Sequence, residues 1–268
     1  MHSICIVALA PLRSKPEHAS EMVSQVLRGE IVKTIQKEEN WSLVNTSDGY
    51  SGFIRTNHIG QVKSLPPNQL PFQVISSSIE CLQDGTQVPF LKGSFIWPEI
   101  NSDFSTISFS AGQLKSLPEN PVFEPRHFVK TALDCINIPY FWGGRSEWGM
   151  DCSGLVQFCL NFLGFEFPRD AWQQAEQPGM EIITGSIADI LPGDLLFFQR
   201  GNNKIHHVAI SLGKGEYVHA SEWVRINSLD PVSESFDAER KDTWIGSLRL
   251  SKDHLTSRAD SIRALINS

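Results

Sequence analysis

Apolar and polar residues alternate in short segments over the first 65 positions, and turn residues separate these segments. One pair of segments covers residues 41–44 and 50–54, with Asp48 and Gly49 between them. An Asp-Gly pair readily adopts the positive φ angles of a tight turn, so this pattern predicts a β-hairpin. Because the region contains no long helical repeat, we predict a small all-β barrel over residues 1–65.

Two consecutive prolines, Pro66 and Pro67, mark a linker after this region, because proline cannot donate to a β-ladder and restricts its neighbours. Residues 66–120 then return to short strand-like segments with many turn residues between them. The predicted strands are residues 72–76, 87–91 and 106–110. This pattern predicts a second small barrel, and a divergent insertion is the alternative.

The periodicity changes after a proline-rich stretch that ends at Pro125. Apolar residues recur at helical spacing over residues 128–136, and residues 152–163 form a nearly all-apolar helical segment. The strands predicted after them are residues 194–199, 207–212, 216–220 and 244–250. Helices followed by a sheet indicate an α+β domain over residues 121–250. A helical stripe of apolar residues then covers the tail, residues 251–268.

The composition is that of an ordinary globular chain. The distribution of charged and apolar residues argues against some classes of binding partner. The 268 residues are 41% hydrophobic and 20% charged, with a net charge of -7. Acidic and basic residues are mixed along the chain, which argues against a basic surface for nucleic acid or anionic lipid. No apolar run approaches the roughly 20 residues of a membrane-spanning helix, and no Lys or Arg precedes the apolar stretch near the amino terminus. We therefore expect a cytoplasmic protein with neither a nucleic-acid nor a membrane partner.

Five cysteines are present, and their context singles out one of them. Their number is odd and no CxxC pair occurs, so neither a disulfide framework nor a zinc cage is predicted. Cys152 follows a glycine-rich loop and begins the apolar helical segment. The unpaired N–H groups and the positive dipole end at a helix start favour a thiolate, and they also offer a site for an oxyanion. These features predict that Cys152 is a reactive thiol.

Two histidines in neighbouring predicted strands offer a base for this thiol. His207 and His219 lie on either side of Gly213, and a hairpin symmetric about this glycine would place them directly opposite each other. One imidazole would then orient the other. The thiol, its base and the orienting group would together form the catalytic arrangement used in nucleophilic acyl transfer. The ring of His206 should face the other side of the strand, so we interpret it as structural.

Four ordered motifs give the chain a family resemblance. They are Tyr-Phe-Trp-Gly-Gly from Tyr140, Asp-Cys-Ser-Gly around Cys152, His-Val-Ala-Ile from His207 and Val-His-Ala around His219. In this order and at these intervals they resemble the NlpC/P60 cysteine peptidases, and a Pro-Gly-Asp-Leu turn at residues 192–195 also fits. The resemblance implies a papain-like catalytic domain. The amino-terminal barrel is similar to bacterial SH3 domains.

The resemblance also implies a role for each catalytic residue. Cys152 is the implied nucleophile and His207 the general base, while His219 is the third polar group. Tyr140 would place a hydroxyl near the oxyanion. No metal and no cofactor is implied.

Four further residues are implied in substrate binding. In the branch of the family that carries SH3 domains, equivalents of Asp151 and Ser153 hold the free amino end of the substrate. Two segments of the predicted barrel also resemble this branch, which makes Glu21 and Tyr50 candidate cleft residues. A carboxylate that closes a cleft would pair with a substrate ammonium and exclude longer chains. An exposed surface charge is the alternative for Glu21.

The implied reaction is that of the γ-D-glutamyl-L-diamino acid peptidases. These enzymes hydrolyse wall peptides of the form L-Ala-γ-D-Glu-diamino acid. They cut the bond between D-Glu and the diamino acid. An enzyme kept inside the cell would meet released wall peptides, so recycling or catabolism is the expected role. One alternative is a wall-binding protein with an inactive peptidase domain, and another is an amidase or acyltransferase on the same fold. The sequence specifies neither the diamino acid nor an oligomeric state.

Overall fold

A computed structural model describes residues 1–62, 69–76, 79–83, 86–97, 114–177, 185–201 and 204–268. The chain divides into two compact units, the first formed by Met1–Asn120 with Ser257–Ser268 and the second by Pro121–Thr256. The α-helices are α1 (Pro125–Leu133), α2 (Cys152–Phe162), α3 (Ala171–Ala175), α4 (Ala238–Thr243) and α5 (Arg258–Asn267).

The strands follow the same chain order. Those up to residue 120 are β1 (His2–Cys5), β2 (Leu9–Arg13), β3 (Met22–Leu27), β4 (Ile31–Lys37), β5 (Trp41–Asn45), β6 (Ser51–Arg55), β7 (Ile59–Gln61), β8 (Phe72–Val74), β9 (Ile79–Gln83), β10 (Thr86–Phe90), β11 (Phe95–Ile96) and β12 (Leu114–Ser116). The later strands are β13 (Arg145–Ser146), β14 (Gly149–Met150), β15 (Phe165–Glu166), β16 (Leu195–Arg200), β17 (Lys204–Gly213), β18 (Glu216–Ser221), β19 (Trp223–Ser228), β20 (Trp244–Leu248) and β21 (Thr256–Ser257).

The first seven strands form one antiparallel sheet in the order β3-β2-β6-β5-β4-β1-β7. Side chains alternate between the faces of a strand, and in β2 the inward residues Ala10 and Leu12 are fully buried. The loop between β5 and β6 contains Gly49 at a φ of 79°, which a residue with a side chain rarely adopts. This sheet confirms the prediction of an SH3-like all-β region at the amino terminus.

Residues 66–120 contribute a three-stranded sheet, β11-β8-β12, and a separate hairpin of β9 and β10. Residues 63–68 and 98–113 lie outside the described residues, and so does the strand predicted at 106–110. A second SH3-like barrel in this segment therefore stays a prediction.

The carboxyl-terminal helix α5 packs within the first unit. Ala259, Ile262 and Leu265 are buried in one apolar cluster with residues from β1, β4 and β11. At the start of the helix, Arg258 is 2% exposed and its Nη2 lies 2.5 Å from Oε1 of Glu30. A buried ion pair thus joins the last helix of the chain to the segment that precedes β4.

Replacing Arg258 with methionine is expected to lower the free energy of unfolding of the first unit by about 3–5 kcal/mol, because the buried Glu30 carboxylate would lose this charged partner. Urea-induced unfolding measures this loss. The matched control is Arg263→Met on the same helix, where the arginine is 30% exposed and bonds to Glu119. That control should lose less than about 1 kcal/mol. Equal losses in the two variants would contradict the account.

The second unit is built on a five-stranded antiparallel sheet in the order β19-β18-β17-β16-β20. Helices α1 and α2 pack on one face, against residues that include Val208, Ile210 and Val218. Phe198 and Tyr217 belong to a second cluster on the other face. The arrangement confirms the α+β prediction. Strand β19 was not predicted, because at this edge of the sheet the apolar Trp223 and Ile226 are exposed and the polar Ser228 is buried, which breaks the usual alternation.

Candidate active site

Cys152 is the first residue of α2, as the sequence predicts. The helix begins there because Asp151 caps it, with Oδ1 accepting from the Gly154 N–H at 2.7 Å. A β-carbon on Gly154 would lie 2.0 Å from the Gly144 carbonyl oxygen, so only glycine fits at this close approach. Capping and close packing thus fix the position of the Cys152 thiol. The residue as a whole is 8% exposed.

The helix start is held by a buried arginine that sequence analysis missed. Arg169 Nη2 lies 2.6 Å from Asp151 Oδ2, and Nη1 lies 3.0 Å from both Asp151 Oδ1 and Ser153 Oγ. The backbone N–H of Gly143 also donates to Asp151 Oδ2, at 2.9 Å. Asp151 and Ser153 are therefore part of a network that fixes the helix start. Their implied contact with a substrate amine stays a prediction.

The Cys152 thiol is less acidic than the sequence predicts. Burial raises its pKa to about 11, and the Asp151 carboxylate adds to this rise. The backbone N–H groups of Val208 and Ser153 and the guanidinium of Arg169 act in the opposite direction. The desolvation of the buried thiolate therefore outweighs the stabilisation by N–H groups that the sequence argument invoked. The thiol needs a base.

The hairpin of β17 and β18 corrects the register expected from the sequence. Ile210 pairs with Val218, which shifts the hairpin by two residues from the arrangement symmetric about Gly213. The turn residues Lys214 and Gly215 have φ angles of 53° and 84°, as in a type I′ turn. The hairpin is therefore centred on this pair of residues, and the two histidines of the site are not directly opposite each other.

The two histidines nevertheless meet, because their rings reach diagonally across the sheet. His207 Nε2 lies 2.9 Å from His219 Nδ1. Asn227 on β19 extends this row, with Oδ1 at 3.1 Å from His219 Nε2. We call these three side chains the polar row. Sequence analysis missed Asn227 because β19 was not predicted.

Burial also lowers the pKa of both histidines in the polar row. The pKa of His207 lies well below the ordinary value of 6.5, and the positive charge of Arg240 depresses it further. Burial lowers the pKa of His219 to about 4, while its hydrogen bond to Asn227 acts in the opposite direction. Both rings are therefore neutral at neutral pH, and His207 is able to accept a proton. His206 lies outside the row, with its Nε2 at 3.3 Å from Arg240 Nη1.

Tyr140 lies in the loop that leads to the helix, and its backbone N–H donates to the Glu222 carbonyl at 2.9 Å. Burial raises the pKa of its hydroxyl, and negative charge on Cys152 and Asp151 raises it further. The hydroxyl stays protonated at neutral pH, so it is able to donate a hydrogen bond.

Glu21 and Tyr50, the other candidates, belong to the first unit. Glu21 is exposed, and its carbonyl oxygen accepts from the Ser14 N–H at 3.0 Å. Tyr50 is half-buried against the apolar core of the seven-stranded sheet, and its carbonyl accepts from the Thr46 N–H at 2.9 Å. Their roles in substrate binding stay predictions.

Among the described residues, no group of three or more His, Cys, Asp and Glu side chains is arranged to hold a metal ion. No helix within the described part of the chain is long and apolar enough to cross a membrane.

These protonation states predict how activity depends on pH. With Cys152 as the expected nucleophile and His207 as the expected base, the reactive form would have a neutral His207 and a protonated Cys152, so kcat/KM should fall only as the pH drops below the ordinary histidine value of about 6.5. At neutral pH, the ultraviolet spectrum of the wild type should show no thiolate absorbance that is absent from the spectrum of Cys152→Ala. A neutral-pH thiolate signal that disappears in that variant would reveal an ion pair and contradict the account.

Two family models match the chain. The NlpC/P60 family model matches residues 137–241, and the model of the bacterial dipeptidyl-peptidase Sh3 domain matches residues 12–59. The first match contains Cys152, His207 and His219, together with Asn227. The second lies in the seven-stranded sheet of the first unit.

Curated relatives and solved structures agree with these matches. Dipeptidyl-peptidase 6 of Lysinibacillus sphaericus is 32% identical over 279 residues, which cover 92% of this chain and 100% of that protein. A γ-D-glutamyl-L-lysine dipeptidyl-peptidase of Bacillus subtilis is 37% identical over 94 residues, covering 34% of this chain and 30% of that protein. The crystal structure of an NlpC/P60 family protein from Bacillus cereus has the same fold, with a TM-score of 0.78 at 18% identity over 93% of this chain and 99% of that one. The chain belongs to the NlpC/P60 family of peptidases and carries a bacterial dipeptidyl-peptidase SH3 domain.

Proposed function

We propose that the protein is a cysteine peptidase that hydrolyses the bond between γ-D-Glu and a diamino acid in short wall peptides that begin with L-Ala. The observation that supports this proposal is a hydrogen bond between the strand that carries His207 and the helix start that carries Cys152. Val208, whose backbone N–H donates to the Cys152 sulfur, directly follows His207 in β17. The names of the relatives, dipeptidyl-peptidase 6 and γ-D-glutamyl-L-lysine dipeptidyl-peptidase, support the bond and the short substrate.

The proposed reaction is acyl transfer in two steps. The Cys152 thiol gives its proton to His207 as the sulfur attacks the γ-carbonyl carbon of D-Glu. N–H groups at the start of α2 and the Tyr140 hydroxyl would stabilise the oxyanion. Protonated His207 then gives the proton to the leaving amine of the diamino acid, and water hydrolyses the thioester with His207 again as base.

The free amino end of the substrate is the second part of the proposal. Asp151, Ser153, Glu21 and Tyr50 are the residues that the family resemblance implies in holding it. A bound ammonium would restrict the enzyme to released peptides, because the intact wall offers few free L-Ala amines. We therefore propose a role in recycling or catabolism of wall peptides in the cytoplasm, which cell fractionation would test.

Incubation of the purified protein with L-Ala-γ-D-Glu-meso-diaminopimelate tests the proposal, with products followed by mass spectrometry. Free diaminopimelate and L-Ala-γ-D-Glu are the expected products. The matched substrate carries an acetyl group on L-Ala, and its kcat/KM should be at least about tenfold lower because the charged hydrogen bonds of the ammonium are lost. A reduced, folded enzyme that forms no product from the free tripeptide would refute the proposal.

The alternatives predict other outcomes in the same assay. Equilibrium binding of the tripeptide without any turnover would favour a wall-binding protein. Turnover of lipid esters in place of the tripeptide would favour an acyltransferase on this fold.

A further inference from the structure

The polar row ends in a side chain to which neither the family resemblance nor the proposed mechanism gives a role. We propose that Asn227 is a positioning residue, which selects the tautomers of His219 and His207 so that His207 Nδ1 is the bare nitrogen that accepts the Cys152 proton. This inference rests on the proposed function for its catalytic consequence. The geometry that carries it can be tested separately.

The orientation of the Asn227 amide is fixed by its second partner. Its Nδ2 donates to the backbone carbonyl of Ser235 at 3.3 Å. A carbonyl only accepts hydrogen bonds, so the NH₂ group must face Ser235 and Oδ1 must face His219. The same carbonyl also accepts from the Ser228 N–H at 2.9 Å, which holds it in place.

This orientation determines the tautomer of each ring. Oδ1 of Asn227 accepts only, so the hydrogen of neutral His219 is on Nε2. His219 Nδ1 is then bare, and it accepts from His207 Nε2 across 2.9 Å. A neutral imidazole has one N–H group, so His207 Nδ1 has a free lone pair. Each bond in the polar row therefore has one direction, set by the amide at its end.

The opposite direction would remove the base. With the hydrogen of His219 on Nδ1, that group would donate to His207 Nε2, and the hydrogen of His207 would be on Nδ1. This tautomer has no lone pair for the thiol proton. In the proposed direction, His207 gains a proton on Nδ1 while its Nε2–H bond to His219 is kept, so no ring has to turn during proton transfer.

Aromatic neighbours keep the rings of the polar row in place. The ring of Phe198 lies 5.5 Å from that of His207, and the ring of Tyr217 lies 5.0 Å from that of His219. His219 is fully buried. Water therefore has little access to the ring, and the bond to Asn227 is the contact that selects the His219 tautomer.

The test combines histidine tautomers, read from ¹⁵N chemical shifts, with kinetics on L-Ala-γ-D-Glu-meso-diaminopimelate. In the wild type, both His207 and His219 should carry hydrogen on Nε2 at neutral pH. Asn227→Leu should populate the Nδ1–H forms and lower kcat at least about tenfold with little change in KM, because the wrong tautomer cannot act as base. Asn227→Asp keeps an accepting oxygen, so it should restore the Nε2–H tautomers.

Ser235→Ala is the matched control, because it removes only the hydroxyl and keeps the carbonyl that holds the amide. Its tautomers and kcat should equal those of the wild type. Nε2–H tautomers that persist in Asn227→Leu, or wild-type histidines with hydrogen on Nδ1, would overturn the inference. A wild type with the expected tautomers and no peptide turnover would instead count against the proposed function alone.

Discussion

Replacing Cys152 with alanine is expected to lower kcat for the wall tripeptide by at least about 10⁴-fold, because the sulfur forms the acyl intermediate in the proposed reaction. Steady-state turnover followed by mass spectrometry measures this loss. The substitution removes one atom at the helix start and leaves the capping bonds of Asp151 in place. The free energy of unfolding of Cys152→Ala should therefore stay close to the wild-type value, although kcat falls strongly.

A second cysteine of the same helix gives the matched control. Cys159 is fully buried in the apolar core of the second unit, away from the helix start. Cys159→Ala should lower the free energy of unfolding by a small amount through a lost core contact and leave kcat near the wild-type value. Normal turnover in Cys152→Ala would refute the assignment of the nucleophile.

Replacing Arg169 with methionine is expected to lower the free energy of unfolding by about 3–5 kcal/mol, because the Asp151 carboxylate would stay buried without its cation. The side chain of Arg169 is 1% exposed and that of Asp151 is 11% exposed. The same change frees the cap of α2 and should lower kcat by displacing the thiol. Urea-induced unfolding and turnover of the tripeptide measure the two effects.

Two further variants separate charge burial from a general loss of arginine packing. Adding Asp151→Asn to Arg169→Met removes the unpaired charge, so the double variant should lose less stability than the sum of the single losses. Arg126→Met removes an arginine that is 77% exposed and pairs with Glu124, and it should cost less than about 1 kcal/mol. Additive losses in the double variant would show that the Arg169–Asp151 pair does not couple in the way described.

The sequence predicts the parts of the fold that leave a local periodic signal. Strand β16 is a continuous apolar run because both of its faces are buried, and α2 is apolar around most of its surface for the same reason. The position of Cys152 at the start of α2 follows from the change between a glycine-rich loop and this apolar segment.

The sequence does not determine the register of the hairpin that carries His207 and His219, because the register depends on which residues form the turn. Three residues with positive φ occur together, Gly213, Lys214 and Gly215, and each was a possible centre of the hairpin. Only the paired strands show that the turn is Lys214-Gly215. The pairing of His207 with His219 was nevertheless expected, since both positions lie on one face of the sheet.

The supporting residues of the site leave no local signal at all. Arg169 is 18 residues from Asp151 in the chain, and its burial depends on the loop that brings it back to the helix start. Asn227 lies on β19, where the exposed apolar residues Trp223 and Ile226 break the alternation expected of an edge strand. Both contacts join polar side chains on different segments of the chain, and hydrophobic periodicity carries no information about them.

The acyl-enzyme itself tests the central claim most directly. The protein is mixed with L-Ala-γ-D-Glu-meso-diaminopimelate, quenched rapidly in acid and analysed by mass spectrometry of its peptides. The account predicts an L-Ala-γ-D-Glu group attached to the peptide that contains Cys152, and no such group in Cys152→Ala. The same acyl group on any other residue, or release of diaminopimelate by Cys152→Ala, would contradict the account.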